Sequence, residues 1–362
     1  MNNTNDYISN INSKYRNIVQ KAIKRDFFIN HDLMVTASNL VYGKRPYKSP
    51  VLTIVVPTFN RYELLKRCLN SIKLQKTDIN FEVIVIDNNP EHLTKSPVLE
   101  IIKQLQDDRF LYYVNSTNVG GIGNWNSGFN LAYGEWIALV HDDDILNANW
   151  TAVMNRTLEG LNNVDVLCCK LKYLRNSNDC ESCVREQYED SAVQRWERNN
   201  VKKGITAPVL GAWVRKDFFV SLGGFGTETP FIEDYIFMGN AVIRGNIYVL
   251  DSALYGYWVS STNDSASPGL WDAVIVCEYF YRRQLMNKLG YGRSFSSIYS
   301  IFKVERAIIS HNIQWMGLQD FEGSIVDSKT IVALCEIKIT KHIIMYTLAY
   351  LYSFFCCLRS KR

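Results

Sequence analysis

Four largely apolar runs, separated by helical patterns, constrain the fold of this chain more than any other feature. They span residues 51–56, 81–86, 110–114 and 135–140. Such runs are typical of strands that are buried on both faces of a sheet. Apolar residues recur at helical spacing from Leu64 to Ile72, and Ser96-Pro97 opens a second helical pattern. Strands and helices that alternate with short connections predict an α/β fold with a parallel, doubly wound sheet.

The composition narrows the class of protein. A chain of 362 residues that is 47% hydrophobic can bury a large core. A net charge of +4 is too balanced to indicate a nucleic-acid partner, and we expect none. Nine cysteines and a polar start without a secretory signal predict a cytoplasmic, reducing setting with free thiols. The alternative for Cys168, Cys169, Cys180 and Cys183 is a zinc site, although neither a second spaced pair nor a nearby His accompanies them.

Polar residues follow three of the predicted strands at the points where those strands end. They are Pro57-Thr58-Phe59-Asn60, Asp87-Asn88 and Asp142-Asp143-Asp144. Because the carboxyl ends of parallel strands meet at one edge of an open sheet, these segments are expected to lie together, where ligands bind in such folds. The sequence therefore predicts a ligand site at this edge.

Asp142, Asp143 and Asp144, called the acidic triplet below, place three carboxylates at the end of one buried strand. Three such charges repel one another unless a cation lies among them. Mg²⁺ and Mn²⁺ prefer oxygen ligands, so a divalent cation that also binds a phosphate is one interpretation. A solvated acidic turn, or the N-cap of the next helix, is the other.

Six motifs in a fixed order resemble the inverting glycosyltransferases of family 2, which have the GT-A fold. The resemblance extends from about Val51 to Trp258. Its motifs are residues 55–61, 85–89, 118–126, 134–144, Gly223-Gly224-Phe225 and Glu233-Asp234. It implies a Rossmann-like, mostly parallel sheet flanked by helices, and the aromatic-rich chain after it suggests a helical C-terminal region.

The resemblance also implies roles for individual residues. The residues expected to bind a nucleotide sugar are Pro57, Thr58, Phe59, Asn60, Arg61, Asp87, Asn88, Gly121, Asn126 and Asp142. Asp143, Asp144 and Asp142 would bind Mn²⁺ or Mg²⁺, with Asp143 the best match to the metal-binding acid. Asn88 departs from the commoner Asp-Asp pair, which leaves the identity of the base open because an amide both donates and accepts. His141 is either a further metal ligand or a structural histidine.

Inversion at the sugar requires a carboxylate that deprotonates the attacking hydroxyl from the opposite face. Asp234 is the expected catalytic base and Glu233 the second choice. The alternative is that both are ordinary acids at a helix N-terminus, where the helix dipole favours them. Many family members place a cation near the diphosphate after the last core strand, whereas residues 255–261 contain none. Hydroxyl groups and the metal would then suffice, or another basic residue would reach the site.

The predicted activity is metal-dependent transfer of a sugar from a nucleotide-diphosphate donor, most simply a UDP-sugar, to a saccharide or polyprenyl-linked acceptor of a bacterial surface polysaccharide. One alternative is a nucleotidyltransferase, but that class usually has a Gly-rich phosphate loop after the first strand, and residues 57–61 contain no glycine. A non-catalytic nucleotide-binding module on the same fold is the other.

Three segments are expected along the chain. Residues 1–50 form a helical leader and a linker, and residues 51–265 form the catalytic domain, with a nucleotide-binding half (51–145) and an acceptor half (146–265). Within the acceptor half, residues 160–207 have no clean periodicity and suggest an insertion or lid. Residues 266–362 form the helical C-terminal region.

The end of the C-terminal region predicts a location at the membrane. Residues 343–358 carry no charged side chain and precede a basic end. Since a spanning helix needs about 20 residues, a segment at 340–362 that lies in the membrane interface suits this pattern better. The enzyme would then be cytoplasmic and peripheral at the inner face of the membrane. A buried terminal helix is the alternative.

Overall fold

The computed structural model describes residues 13–28, 35–45, 48–188, 191–201, 207–260, 270–292, 295–297, 299–301 and 303. The chain divides into two compact units. The first comprises Asn30–Glu197 and Thr206–Trp258 and contains every described strand. The second comprises Met1–Ile29, Arg198–Ile205 and Val259–Arg362. The domain boundaries expected from the sequence remain predictions.

The first unit is built on one mixed sheet. Its strands are β1 (Ser38–Tyr42), β2 (Leu52–Thr58), β3 (Phe81–Asp87), β4 (Phe110–Asn115), β5 (Trp136–Leu139), β6 (Ile145–Leu146), β7 (Val166–Leu174), β8 (Val193–Trp196), β9 (Trp213–Arg215) and β10 (Ile247–Trp258). They are ordered β1-β4-β3-β2-β5-β9-β7-β10-β6, and β8 pairs with β10. The pairs β2–β3, β2–β5, β3–β4 and β7–β10 are parallel, and the other pairs are antiparallel.

Helices flank this sheet and also form the described part of the second unit. They are α1 (Ser13–Lys24), α2 (Tyr62–Lys73), α3 (Pro97–Leu105), α4 (Gly120–Leu131), α5 (Trp150–Glu159), α6 (Ser177–Arg185), α7 (Arg198–Val201), α8 (Lys216–Ser221), α9 (Glu233–Arg244) and α10 (Leu270–Lys288). The predicted α/β class with its parallel strands is confirmed. At α3, the Ser96 hydroxyl accepts the backbone N–H of Leu99 at 3.1 Å and Pro97 occupies the first turn, as the sequence predicts.

Strands β2, β3 and β5 place their carboxyl ends side by side. Every residue of β2 and β3 is buried, which explains their largely apolar runs. Thr58 at the end of β2 pairs with Asp87 at the end of β3, and Val55 pairs with Leu139 at the end of β5. The polar segments that follow the three strands therefore meet at one edge, as predicted.

Strand β7 lies in the stretch 160–207, where the sequence predicts irregular structure. Its first four residues are buried, and the rest of the strand alternates irregularly between exposed and buried positions. Neither the continuous pattern of a central strand nor the alternation of an edge strand is present, so periodicity did not identify it. Tertiary pairing with β10 determines this strand instead.

In the second unit, helix α1 packs against α10. Tyr15, Val19 and Ala22 of α1 are buried, so the described part of the expected leader contains a helix with one buried face. The Gln284 side chain of α10 forms two hydrogen bonds with the residues that follow α1. It accepts the N–H of Phe27 at 3.1 Å and donates to the carbonyl of Arg25 at 2.7 Å.

Among the described residues, no helix combines the length and the apolar character needed to cross a membrane. The predicted interfacial segment at residues 340–362 lies outside the described residues.

Gly128 tests the packing of helix α4 on the central strands. A Cβ atom at this position would lie 2.4 Å from Cγ1 of Val55, which is fully buried in β2. We expect Gly128→Ala to lower the free energy of unfolding by about 1–3 kcal/mol through overpacking, measured by denaturant unfolding. Gly121→Ala in the same helix is the control, because a Cβ there meets nothing within 4 Å. An unchanged midpoint for Gly128→Ala would contradict this packing.

Candidate active site

The carboxyl ends of β2 and β5 are joined through Asp142. The Thr58 hydroxyl donates to its carboxylate at 2.8 Å, and the backbone N–H of Phe59 donates to it as well. The guanidinium of Arg61 lies 3.5 Å from the Asp142 carboxylate and 3.0 Å from that of Asp143. The loop after β2 is therefore attached to the acidic triplet, as the predicted convergence of strand ends requires.

Asp144 is attached to strand β10 on the other side of the triplet. Its carboxylate accepts the hydroxyl of Tyr255 at 2.6 Å and the backbone N–H of Trp258 at 2.7 Å. Burial and the charge of Asp144 raise the pKa of Tyr255 well above its usual range, so the phenol stays a donor. The Tyr255 hydroxyl in turn accepts the backbone N–H of His141 at 3.1 Å.

Arg67 of helix α2 brings a second positive charge to the triplet. Its guanidinium donates to the backbone carbonyl of Asp143 at 2.6 Å and lies over the ring of Trp258, 4.1 Å from the centroid. Such stacking is a cation–π contact, which fixes the guanidinium between the acidic loop and the end of β10. Tyr255 and Trp258 belong to the segment 255–261 that was expected near the diphosphate, whereas no motif pointed to Arg67, which lies in the middle of α2.

The three carboxylates are removed from water although they lie next to one another. Asp142, Asp143 and Asp144 are only 5%, 2% and 0% exposed. Burial, with the charge of Asp143 as the second cause, raises the pKa of Asp142 to about 7. The same two causes raise the pKa of Asp144 well above its usual range. Without a further cation the site therefore favours protonated carboxyls at positions where the sequence predicts metal ligands.

His141, Asp143 and Asp144 offer ligand atoms that all lie within 4.8 Å of one another. One imidazole and two carboxylates form a donor set that suits Mn²⁺ or Mg²⁺, and a divalent charge would offset the repulsion among the buried acids. The His141 imidazole lies 3.9 Å from the Asp144 carboxylate, and its ring is 5.0 Å from that of Trp125. The structure thus groups Asp143 and Asp144 with His141, while Asp142 is bonded to Thr58 and Arg61.

The loop after β2 presents an aromatic face beside the triplet. Pro57 and Thr58 are buried in the strand, whereas the Phe59 side chain is 46% exposed. Asn60 adopts a left-handed conformation with φ of 57°, and its side-chain carbonyl accepts hydrogen bonds from Tyr62 and Asn89 at 3.1 Å each. These bonds hold the turn that exposes Phe59, which suits a stacking surface for a base.

Asp87 and Asn88 are engaged inside the protein. The buried Asp87 carboxylate contacts the His92 imidazole at 2.6 Å and the Tyr112 hydroxyl at 2.8 Å. The Asn88 amide donates to Asn118 at 2.8 Å and accepts the N–H of Val119 at 3.1 Å. Both residues therefore organise the edge of the site, and their contact with a base remains a prediction.

Helix α4 contributes the two other residues that the sequence assigns to nucleotide-sugar binding. Gly121 lies in its first turn, where the backbone is open to approach because nothing lies within 4 Å of a Cβ position. Asn126 is fully buried, and its side-chain amide forms two hydrogen bonds with the backbone of Phe225. It donates to the Phe225 carbonyl at 2.7 Å and accepts the Phe225 N–H at 3.1 Å. Asn126 therefore positions the Gly223-Gly224-Phe225 turn that precedes α9.

Glu233 and Asp234 begin helix α9, as predicted, but they face different surroundings. Glu233 is 1% exposed, and its carboxylate accepts the hydroxyl of Thr229 at 2.6 Å and the backbone N–H of the same residue at 3.1 Å. Asp234 is exposed to solvent. An exposed carboxylate can receive a proton from a substrate, whereas Glu233 closes the turn before the helix.

Comparison with known proteins shows what this chain resembles. Residues 53–212 match Glycosyl transferase family 2. The GalNAc(5)-diNAcBac-PP-undecaprenol beta-1,3-glucosyltransferase of Campylobacter jejuni is 38% identical over 113 residues, which cover 31% of this chain and 36% of that protein. The putative colanic acid biosynthesis glycosyl transferase WcaA of Escherichia coli is 28% identical over 57% of this chain and 71% of its own length.

This chain thus spans only about a third of the Campylobacter relative. Among solved structures, residues 1–349 of TarS from S. aureus align with a TM-score of 0.52 at 17% identity, covering 84% of this chain and 88% of that one. A likeness at this identity concerns the fold alone, and it confirms the predicted GT-A architecture of a mostly parallel sheet with flanking helices.

The raised pKa of Asp142 predicts a pH dependence of stability in the presence of EDTA. In the unfolded chain this carboxyl ionises near pH 4, whereas in the folded protein it keeps its proton up to about pH 7. The folded state therefore binds one proton more between these values, so its free energy of unfolding should fall as the pH rises from about 4 to about 7.

Denaturant unfolding with EDTA across this range measures the effect, with Asp142→Asn as the comparison. The amide keeps the bond to Thr58 but cannot ionise. The free energy of unfolding of the variant should therefore fall less steeply with pH than that of the native protein. Addition of Mn²⁺ should stabilise the native protein, most strongly at the upper end of the range. Identical slopes for the two proteins would refute the assignment.

Proposed function

We propose, from the match of residues 53–212 to Glycosyl transferase family 2, that this protein transfers a sugar from a nucleotide-diphosphate donor to an acceptor hydroxyl. The observation that carries the proposal is the meeting of the acidic triplet with His141, Thr58 and Arg61 at the carboxyl edge of the sheet. In this proposal the donor is a UDP-sugar, and the reaction inverts the configuration at the transferred sugar.

His141, Asp143 and Asp144 would hold Mn²⁺ or Mg²⁺, with Asp142 next to them. When bound, such an ion neutralises charge that develops on the departing nucleoside diphosphate. Arg67 keeps a fixed positive charge beside the backbone carbonyl of Asp143, and Arg61 keeps another beside the side-chain carboxylate of Asp143. These two arginines would supply the positive charge that residues 255–261 lack.

The nucleoside would lie along the loop after β2. Phe59 offers its exposed ring to the base, and the open backbone at Gly121 allows close approach of the donor. Asp142, held by Thr58 and the N–H of Phe59, presents its carboxylate at the edge where a ribose hydroxyl would donate to it. Asp87 and Asn88 fix the neighbouring loop, which limits where the base can sit.

Asp234 is the proposed catalytic base. Its exposure at the start of α9 lets an acceptor hydroxyl approach the carboxylate, which would take the proton as that oxygen attacks the sugar. Glu233, bonded to Thr229, would maintain the turn that presents Asp234. The proton moves from the hydroxyl to the Asp234 carboxylate, and the bond between the sugar and the diphosphate breaks on the opposite side.

The proposed acceptor is a saccharide, either a growing polysaccharide or a polyprenyl-linked oligosaccharide. The name of the Campylobacter relative contains a glycan on PP-undecaprenol, which supports an acceptor of this class. An acceptor in the membrane would also suit a cytoplasmic enzyme that is peripheral at the inner face of the membrane.

Asp234→Asn should slow sugar transfer strongly while leaving the binding of the donor unchanged. We expect kcat for hydrolysis or transfer of a UDP-sugar, identified by a screen of nucleotide sugars with Mn²⁺, to fall by about 10²- to 10⁴-fold with little change in donor KM. Asp217→Asn is the matched control, since Asp217 also lies in the first turn of a helix and its side chain is 74% exposed. Turnover retained in Asp234→Asn would reject the base.

The location at the membrane is tested by removing residues 340–362. If this segment binds the membrane interface, the shortened protein should move from the membrane fraction to the supernatant after cell lysis. High salt on the full-length protein separates electrostatic binding by the basic end from apolar insertion. An unchanged membrane fraction after the deletion would remove the anchor from the proposal.

A further inference from the structure

A cavity of about 360 Å³ lies on β7, β8 and β10, in the same unit as the acidic triplet. We call it the lateral cavity. The lining residues used below are Lys170, Tyr173, Gln194, Trp196, Val249 and Asp251. The volume lies within the range of about 300–1,000 Å³ that is common for small-molecule sites. None of the residues assigned to the donor or the metal lines it.

Two aromatic side chains line the lateral cavity beside smaller apolar residues such as Val249. Tyr173 is 50% exposed although it belongs to a strand in the middle of the sheet order. Its ring is braced by Tyr257 in an edge-to-face contact, with centroids 5.8 Å apart at 78°. Trp196 lines the cavity from β8. A braced, exposed aromatic ring is a preformed contact surface that costs little conformational entropy to use.

The charges in the lateral cavity cancel. The ammonium of Lys170 forms an ion pair with the carboxylate of Asp251, and both side chains are more than half exposed. These two are the only charged residues among those that line the cavity, and Gln194 adds an amide that both donates and accepts. A lining without net charge disfavours a phosphate or nucleotide, and its polar groups disfavour a lipid chain. A neutral ligand with hydroxyl groups and an apolar face fits best.

We propose that the lateral cavity binds a neutral sugar residue of the acceptor glycan. Tyr173 and Trp196 contact the C–H face of the sugar, while Gln194, Lys170 and Asp251 exchange hydrogen bonds with its hydroxyls. This inference rests on the proposed function, because it assigns the cavity to the acceptor of that reaction. It makes these residues determinants of acceptor choice, apart from the groups that act at the reacting atoms.

The β7–β10 ladder connects the lateral cavity to the acidic triplet. Tyr173 pairs with Tyr257, and the next pair in register is Leu174 with Trp258. The N–H of Trp258 binds Asp144 at 2.7 Å. Successive residues of a strand face opposite sides of a sheet, so the Trp258 side chain lies on the other face from Tyr257. Tyr255 shares the face of Tyr257, and its hydroxyl donates to Asp144 at 2.6 Å. A glycan held at Tyr173 can therefore extend along this face toward the triplet.

Binding of methyl glycosides to the full-length protein tests the proposal. The probes are methyl glycosides of neutral hexoses and N-acetylhexosamines, observed by saturation-transfer NMR with saturating UDP and Mg²⁺. At least one probe should bind with UDP present, and Tyr173→Ala should weaken it by about 3- to 10-fold. Tyr133→Ala is the matched control, because Tyr133 is 60% exposed and lies outside the cavity, and it should bind the probe as the native protein does.

The other outcomes overturn the proposal. They are a panel in which no probe binds, a probe that binds without UDP but is displaced when UDP is added, displacement of the probe by inorganic phosphate, and equal affinity in Tyr173→Ala and the native protein. Displacement by UDP would assign the cavity to the donor, and displacement by phosphate to an anion. Calorimetry with UDP on the same samples distinguishes a failure of the proposed function from a failure of this inference. Intact metal-dependent UDP binding without any glycoside binding rejects this inference alone.

Discussion

The buried carboxylates of the acidic triplet are the constraint on which the site depends. Three neighbouring acids are nearly excluded from water, a state that is costly unless positive charge and hydrogen-bond donors surround them. Arg61 comes from the loop after β2, Arg67 from α2, and Tyr255 with the N–H of Trp258 from β10. The acids are therefore held by elements far apart in the chain, and they link the two halves of the sheet.

The parts of the fold that sequence predicted are those with a local cause. Strands β2, β3 and β4 are buried at every residue, so their apolar runs identify them directly. Helix α3 begins with Ser96 as its N-cap and Pro97 in its first turn, and these two residues are enough to predict its start. The convergence of the strand ends followed from parallel pairing alone. Helix α4 begins at Gly120, and glycines in a first turn leave no propensity signal that would mark this start in the sequence.

The remainder of the site depends on long-range contacts that no local pattern encodes. Strand β7 exists because it pairs with β10, some 80 residues later, and its exposure pattern is irregular. Arg67 reaches the triplet only because α2 packs beside it, and Trp258 completes that contact from the end of β10. His141 precedes the triplet in sequence, but its grouping with Asp143 and Asp144 depends on how the turn folds back.

Titration of UDP into the protein by calorimetry, with EDTA and then with Mn²⁺, tests the central claim most directly. The account predicts that Mn²⁺ tightens UDP binding by about tenfold or more, and that Asp143→Asn abolishes this gain while Asp217→Asn keeps it. UDP that binds equally well with EDTA and with Mn²⁺, or an undiminished gain in Asp143→Asn, would contradict a metal–diphosphate site at the acidic triplet.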